Sequence, residues 1–219
     1  MKRLLLPILL LLALTAFGQS SASPSSSSAA KPRRPEKPGQ VAPNVIEPDD
    51  GTINDRLYSS DYFRFRFTVP EGFVADEYPA GDQEDASHRS FVLLVIYGEG
   101  ERRGSVLSIL ADQAAPTGAT TASAYLTKVT TTLMKQEGFT WQPPVRSLTL
   151  GGRSFAAADF TQDETAQTVL VTMLRGYAVS FVLMGPARAD VERLAAALNT
   201  LEFVAAEKPR TAPAAAPAR

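Results

Sequence analysis

Thr165-Ala166-Gln167-Thr168-Val169-Leu170-Val171-Thr172-Met173-Leu174, then Arg175-Gly176, then Tyr177-Ala178-Val179-Ser180-Phe181-Val182-Leu183-Met184, reads as two strands joined by a tight reversal. In the first strand Val169, Val171 and Met173 oppose Leu170, Thr172 and Leu174, so both faces are partly apolar and both need cover. Gly185-Pro186 ends the second strand. So short a reversal makes the pair antiparallel, and two apolar faces call for packed layers on both sides of the sheet.

The pattern extends outward from that hairpin. Upstream, after Pro143-Pro144, Val145 to Leu150 reaches a Gly151-Gly152 turn, and Arg153 to Thr161 precedes the polar Gln162-Asp163-Glu164. Downstream, Val191, Leu194, Ala195 and Leu198 form one stripe of a helix from about Ala187 to Asn199, and Leu201 to Val204 closes as a short strand or cap. Further upstream, Phe91 to Tyr97 is apolar without alternation, which predicts a central strand over Ser90 to Tyr97. Gly98 to Gly104 turns the chain into a return strand, Ser105 to Ala111. Ala122, Tyr125, Leu126, Val129, Leu133 and Met134 then recur at helical spacing over Thr120 to Glu137, with Gly138 as the stop. Nearer the start, Phe63, Phe65, Phe67 and Val69 alternate with Arg64, Arg66 and Thr68, a half-buried strand ended by Pro70-Glu71-Gly72. A short strand is expected at Phe73 to Tyr78 and a polar loop at Ala80 to Ser87. Strands, helix, strand meander and helix make an α/β chain of α+β type: a three-layer α/β/α sandwich around a mainly antiparallel sheet, over residues 51–206.

Composition narrows what such a domain can do. Between Gly51 and Ala206 stand 13 Lys/Arg against 18 Asp/Glu, a balance of −5, whereas the whole 219-residue chain carries −1. An acidic domain lacks the footprint that a phosphate backbone requires, so no nucleic-acid partner is expected. The chain has no cysteine and one histidine, His88, which excludes disulfides, thiolate metal sites and zinc sites needing two imidazoles.

The ends read differently from the middle. Lys2-Arg3, an apolar stretch from Leu4 to Phe17 and small residues at Ala16-Phe17-Gly18 compose an export signal over residues 1–18, cleaved after Gly18 or, as the alternative, after Ala22. The run is shorter than the roughly 20 residues that span a bilayer, so no membrane anchor is expected after cleavage; an uncleaved anchor is the competing reading. Residues 19–50, with Ser25 to Ser28 and Lys31-Pro32-Arg33-Arg34-Pro35-Glu36-Lys37-Pro38, have too little apolar surface to offset chain entropy and read as a disordered Ser/Pro-rich linker. Residues 207–219 form an Ala/Pro-rich tail of the same kind. Localisation is therefore expected to be periplasmic or extracellular.

Tyr58-Ser59-Ser60-Asp61-Tyr62-Phe63-Arg64-Phe65 followed by Val69-Pro70-Glu71-Gly72-Phe73 resembles the start of the PsbP/Mog1-like superfamily. Leu150-Gly151-Gly152-Arg153-Ser154-Phe155, Arg175-Gly176-Tyr177-Ala178-Val179-Ser180-Phe181 and the final Leu201-Glu202-Phe203 are similar to its ending. The resemblance covers about Tyr58 to Phe203 and rests on turn glycines and core aromatics. It implies a small α/β/α sandwich and a non-enzymatic binding or accessory role; members bind photosystem II or a small GTPase, or occur in bacterial envelopes. The Ser/Pro linker and the lack of a plant-type transit peptide argue against a chloroplast setting.

Candidate chemistry is sparse. Gly98, Gly100 and Gly104 are spaced GxGxxxG, one residue longer than a dinucleotide fingerprint, and a strand follows where a helix should, so a hairpin tip is expected. His88 with Asp82, Glu84 and Asp85 offers oxygen and imidazole ligands to a divalent cation but none of the periodicity of a calcium loop, so an acidic surface loop is expected. No GxSxG elbow occurs, and among the 18 acids nothing singles out the pair that a glycosidase uses. Trp141, beside Gln142-Pro143-Pro144, is expected to seal the end of the first helix rather than anchor a partner. No catalytic, cofactor-binding or metal-ligating residue is assigned. The expectation is a non-catalytic envelope module for a protein or small ligand; the alternatives are an envelope-polymer hydrolase using paired carboxylates and a structural subunit of a larger complex.

Overall fold

The computed structural model describes residues 48–75, 83–84, 89–136 and 138–204. The expected signal segment, the linker up to residue 47, the tail 207–219, and His88 with Asp82 and Asp85 lie outside them. The chain is already tied to the fold at Asp49, whose carboxylate accepts from the Tyr62 N–H at 2.6 Å, the Gly51 N–H at 3.0 Å and the Ser60 hydroxyl at 3.1 Å.

Among the described residues, two antiparallel sheets and two helices of more than one turn make an α+β fold. Strands β1 (Thr52–Asn54), β2 (Leu57–Ser60), β3 (Phe65–Thr68) and the last strand, β12 (Glu202–Phe203), form a small sheet in the order β1-β2-β3-β12. The large sheet contains β4 (Phe73–Ala75), β5 (Gln83–Glu84), β6 (Arg89–Gly98), β7 (Val106–Gln113), β8 (Phe139–Leu150), β9 (Arg153–Gln162), β10 (Thr165–Leu174) and β11 (Tyr177–Gly185). Its order is β4-β6-β7-β11-β10-β9-β8, with β5 also paired to β6. Helix α1 (Ala122–Leu133) follows β7 after a single helical turn at Ala114–Thr117, and α2 (Arg188–Ala197) runs into a 3₁₀ turn at Leu198–Thr200.

The β10–β11 hairpin pairs from Ala166↔Gly185 to Leu174↔Tyr177, as its sequence implies. Every residue of β11 is buried, because both faces of the large sheet are covered. On one side Val92, Leu110, Phe160, Val171 and Val182 pack under the α1 stripe Tyr125, Leu126, Val129 and Leu133. On the other, Leu93, Ile109, Phe155, Phe181 and Leu183 meet Phe63, Phe65 and Phe67 at the small sheet and Val191, Leu194 and Leu198 at the α2 end. On this side strands of the small sheet share the cover with a helix. The Phe63–Val69 alternation places its residues on the expected faces, but in a second sheet rather than the main one.

Helix α1 tolerates its threonines because their hydroxyls back-bond within the helix: Thr127, Thr130 and Thr131 donate to the carbonyls of Ser123, Leu126 and Thr127 at 2.8–2.9 Å. Thr121 caps its start, accepting from the Ala124 N–H at 3.1 Å. Three further expectations change. Strand β8 begins at Phe139 and passes through Pro143-Pro144, which an edge strand permits when a register shift, here between Gln142 and Arg146, takes up the missing donors. Gln83–Glu84, expected in a loop, pairs with the start of β6. Strand β3 starts only at Phe65, because Arg64 holds a left-handed φ of 56° and ends a turn there.

Candidate functional site

The groups singled out from sequence do not converge. Gly98, Gly100 and Gly104 shape the β6–β7 connection, where Gly100–Arg102 makes one 3₁₀ turn and a strand follows. Gly98 is needed for close approach, since a Cβ there would lie 2.2 Å from the Arg102 carbonyl oxygen. Trp141 is half-buried in β8 and packs against the cluster beneath α1, as expected of a sealing aromatic. His88 lies outside the described residues, and no group of three or more metal-ligating side chains occurs among them.

The concave site lies where the small sheet crosses the large one. A cavity of about 310 Å³ is lined by Phe63, Arg64, Arg153, Met173, Leu174, Arg175, Phe203 and Val204. Three elements deliver its arginines. Arg64 ends the turn before β3, Arg153 opens β9, and Arg175 occupies the β10–β11 turn. The Arg153 guanidinium lies over the Phe203 ring at 4.8 Å and that of Arg175 over Tyr62 at 5.2 Å. Such contacts restrain the cationic heads without using any N–H donor. Phe63 is buried and meets Tyr177 edge-on at 5.6 Å, which fixes the apolar floor.

Backbone geometry holds residues 202–204 in place beside the site. Strand β12 pairs with β3 through Phe203↔Phe65 and Glu202↔Arg66, and the Val204 N–H donates to the Arg64 carbonyl at 2.8 Å. The chain can pass the β8–β9 turn only because residue 151 is glycine: a Cβ there would meet the Leu201 carbonyl oxygen at 2.5 Å. Among the described residues no Asp or Glu lines the cavity, and the three guanidiniums have neither a carboxylate nor a hydrogen-bond partner. Sequence reading passed over these residues. Arg64 reads as the polar face of a strand, Arg153 and Arg175 as turn flanks, and only the folded crossing brings them together.

Two other polar clusters are built for holding. Asp159 on β9 accepts from the Thr168 hydroxyl at 2.6 Å, from Arg188 at 3.0 Å and from Arg146. Burial raises the carboxyl's proton affinity, but the hydrogen bonds from Thr168, Arg146 and Arg188 outweigh it and hold Asp159 below the usual carboxylate range. On the opposite face the fully buried Asp112 accepts from Ser90 and from the Tyr125 phenol. Burial, and then the Asp112 charge, push that phenol well above its ordinary value. The first cluster pins the start of α2 to the sheet and the second pins α1.

No protein-family model matches the chain, and no curated protein matches it. Solved structures similar to it include cyanobacterial PsbP (CyanoP) from Synechocystis sp. PCC 6803, at 16% identity and TM-score 0.46, covering 68% of this chain and 91% of that one. Another is LpqN of Mycobacterium tuberculosis, involved in cell envelope biogenesis, at 16% identity and TM-score 0.35, covering 64% of this chain and 83% of that one. The resemblance to PsbP is one of fold. No helix among the described residues is long and apolar enough to cross a membrane.

Proposed function

We propose that the chain is an exported binding or accessory module of a bacterial cell envelope, and that it acts by taking an anionic group into the arginine-lined cavity rather than by catalysis. The observation that carries this reading is the lining itself: three guanidiniums with no carboxylate partner among the described residues, beside the apolar side chains of Phe63, Leu174, Phe203 and Val204. Guanidinium forks recognise oxyanions through paired N–H donors, and an apolar floor adds affinity for whatever carries the anion. The signal-like residues 1–18 support the export part. A carboxylate-pair hydrolase gains nothing from this cavity, whose lining holds no acid.

Titration of the isotope-labelled protein with hexanoate, hexyl sulfate, hexanol and hexylamine tests the reading by NMR. The two anions are expected to move the side-chain Nε–H signals of Arg64, Arg153 and Arg175, with the alcohol and the amine leaving them in place. If no anion moves those signals, or hexanol moves them equally, the cavity is not an anion site and the reading fails.

A further inference from the structure

We propose that the group this cavity selects is a phosphate monoester carried on an apolar body; the inference rests on the anion-site reading above and sharpens it. Charge is the first argument. Three arginines and, among the described residues, no carboxylate line the cavity, so a monocarboxylate would balance only one of its three positive charges. A phosphate monoester brings about −1.5 to −2 at neutral pH and three acceptor oxygens.

Directional chemistry agrees. The three forks come from three separate places: the turn before β3, the first residue of β9 and the β10–β11 turn. A planar carboxylate has two oxygens and suits one fork, whereas a tetrahedral phosphate can meet donors approaching from several sides. Two of the three cations are also held against backbone preference, since Arg64 and Arg175 adopt left-handed φ values of 56° and 50°. In Arg175 this is the geometry of the two-residue turn with both φ positive that joins β10 to β11, so the turn fixes where its side chain starts.

Size supplies the apolar part. At about 310 Å³ the cavity is at the lower end of small-molecule sites and has more room than a bare phosphate fills. Phe203, half-buried, and Val204, exposed, leave an apolar surface beside the cations, which an alkyl or aryl group on the ester oxygen would cover.

Calorimetric titration of the full chain with hexyl phosphate, hexanoate and inorganic phosphate tests this. Hexyl phosphate is expected to bind about tenfold more tightly than either of the others, because only it uses both the forks and the floor. The variants R64K, R153K and R175K keep the charge but lose the fork, and each is expected to weaken hexyl phosphate about five- to tenfold with the thermal midpoint unchanged. Hexanoate binding as tightly as hexyl phosphate would overturn the phosphate inference and leave the anion site standing. No binding by any of the anions would remove both. Hexyl phosphate binding that all three lysine variants retain would place it elsewhere and also overturn the inference. Flotation with phosphatidylcholine vesicles, with and without phosphatidic acid, then separates sources: capture only with phosphatidic acid supports a lipid headgroup, and hexyl phosphate binding without capture supports a free phosphomonoester.

Discussion

Replacing Phe65 by alanine tests whether the small sheet belongs to the same cooperative unit as the large one. Phe65 is 1% exposed, and its ring lies 5.6 Å from Phe181 on β11, 5.9 Å from Tyr58, 6.1 Å from Phe203 and 6.5 Å from Phe63. It therefore joins β2, β3 and β12 to the large sheet through a single side chain. Phe→Ala in a core costs about 3–5 kcal/mol. Four ring neighbours, each pair worth about 0.5–1.5 kcal/mol beyond burial, put this site near the upper end, at about 4–5 kcal/mol. Set against a typical total of about 5–15 kcal/mol, that is a large fraction of all the stability present. Urea unfolding should follow Trp141 fluorescence and far-ultraviolet circular dichroism together, since Trp141 reports from the opposite face, beneath α1. With a urea slope of about 2 kcal/mol/M, both midpoints are expected to fall by about 2 M and to remain coincident. The milder Phe65→Leu should cost less than about 1.5 kcal/mol. A loss below about 1.5 kcal/mol for the alanine variant, or a Trp141 midpoint that stays put while the dichroism loses part of its signal, would show the small sheet to be a separate unit.

The two polar clusters give two further expectations. Asp159→Asn should cost about 1–2 kcal/mol at neutral pH, discounted because Arg146 and Arg188 are 43% and 42% exposed. Since the folded carboxyl is held low, its contribution is present above the unfolded value of about 3.9 and is lost as pH falls through the folded value; urea midpoints should show wild type and variant converging only in acid, and a constant gap into strong acid would contradict the assignment. Tyr125→Phe removes a charge-assisted hydrogen bond to Asp112 and should cost about 1.5–3 kcal/mol. The raised phenol favours the folded state fully below the unfolded value of about 10, and that advantage goes as pH rises, so an ultraviolet titration should show Tyr125 silent until the protein unfolds; ionisation at the ordinary value in the folded state would refute its burial.

What could be read from the sequence was what local pattern controls. The β10–β11 hairpin, the doubly apolar β6 and both helices follow from periodicities that act over a few residues. Strands β1 and β2 left no such trace: β1 is wholly exposed, and β2 buries one large side chain, Tyr58. Pro143-Pro144 concealed the first half of β8 because prolines argue against a strand unless it lies at an edge, and edge position belongs to the topology. The site was less visible still. Arg64, Arg153 and Arg175 are each unremarkable where they stand, and their convergence depends on β12 crossing to β3 past a glycine at 151.

That convergence also resolves an apparent conflict between the domain's charge and its site. Residues 51–206 carry −5, a balance that disfavours a nucleic-acid partner. Net charge governs the field at a distance, and at physiological salt that field fades over about 8 Å. A long polyanion must lie across many such distances and meets the acidic surface as well as the pocket. A small anion seated among Arg64, Arg153 and Arg175 lies within reach of the cations and is screened from most of the carboxylates. The same charge distribution thus disfavours a nucleic-acid strand and favours a compact phosphate. Raising the salt concentration should accordingly weaken hexyl phosphate binding only modestly, since paired N–H donors survive screening better than long-range attraction does. A steep salt dependence, of the kind that accompanies release of a counterion atmosphere, would mean that the anion is held by diffuse charge and not by the forks.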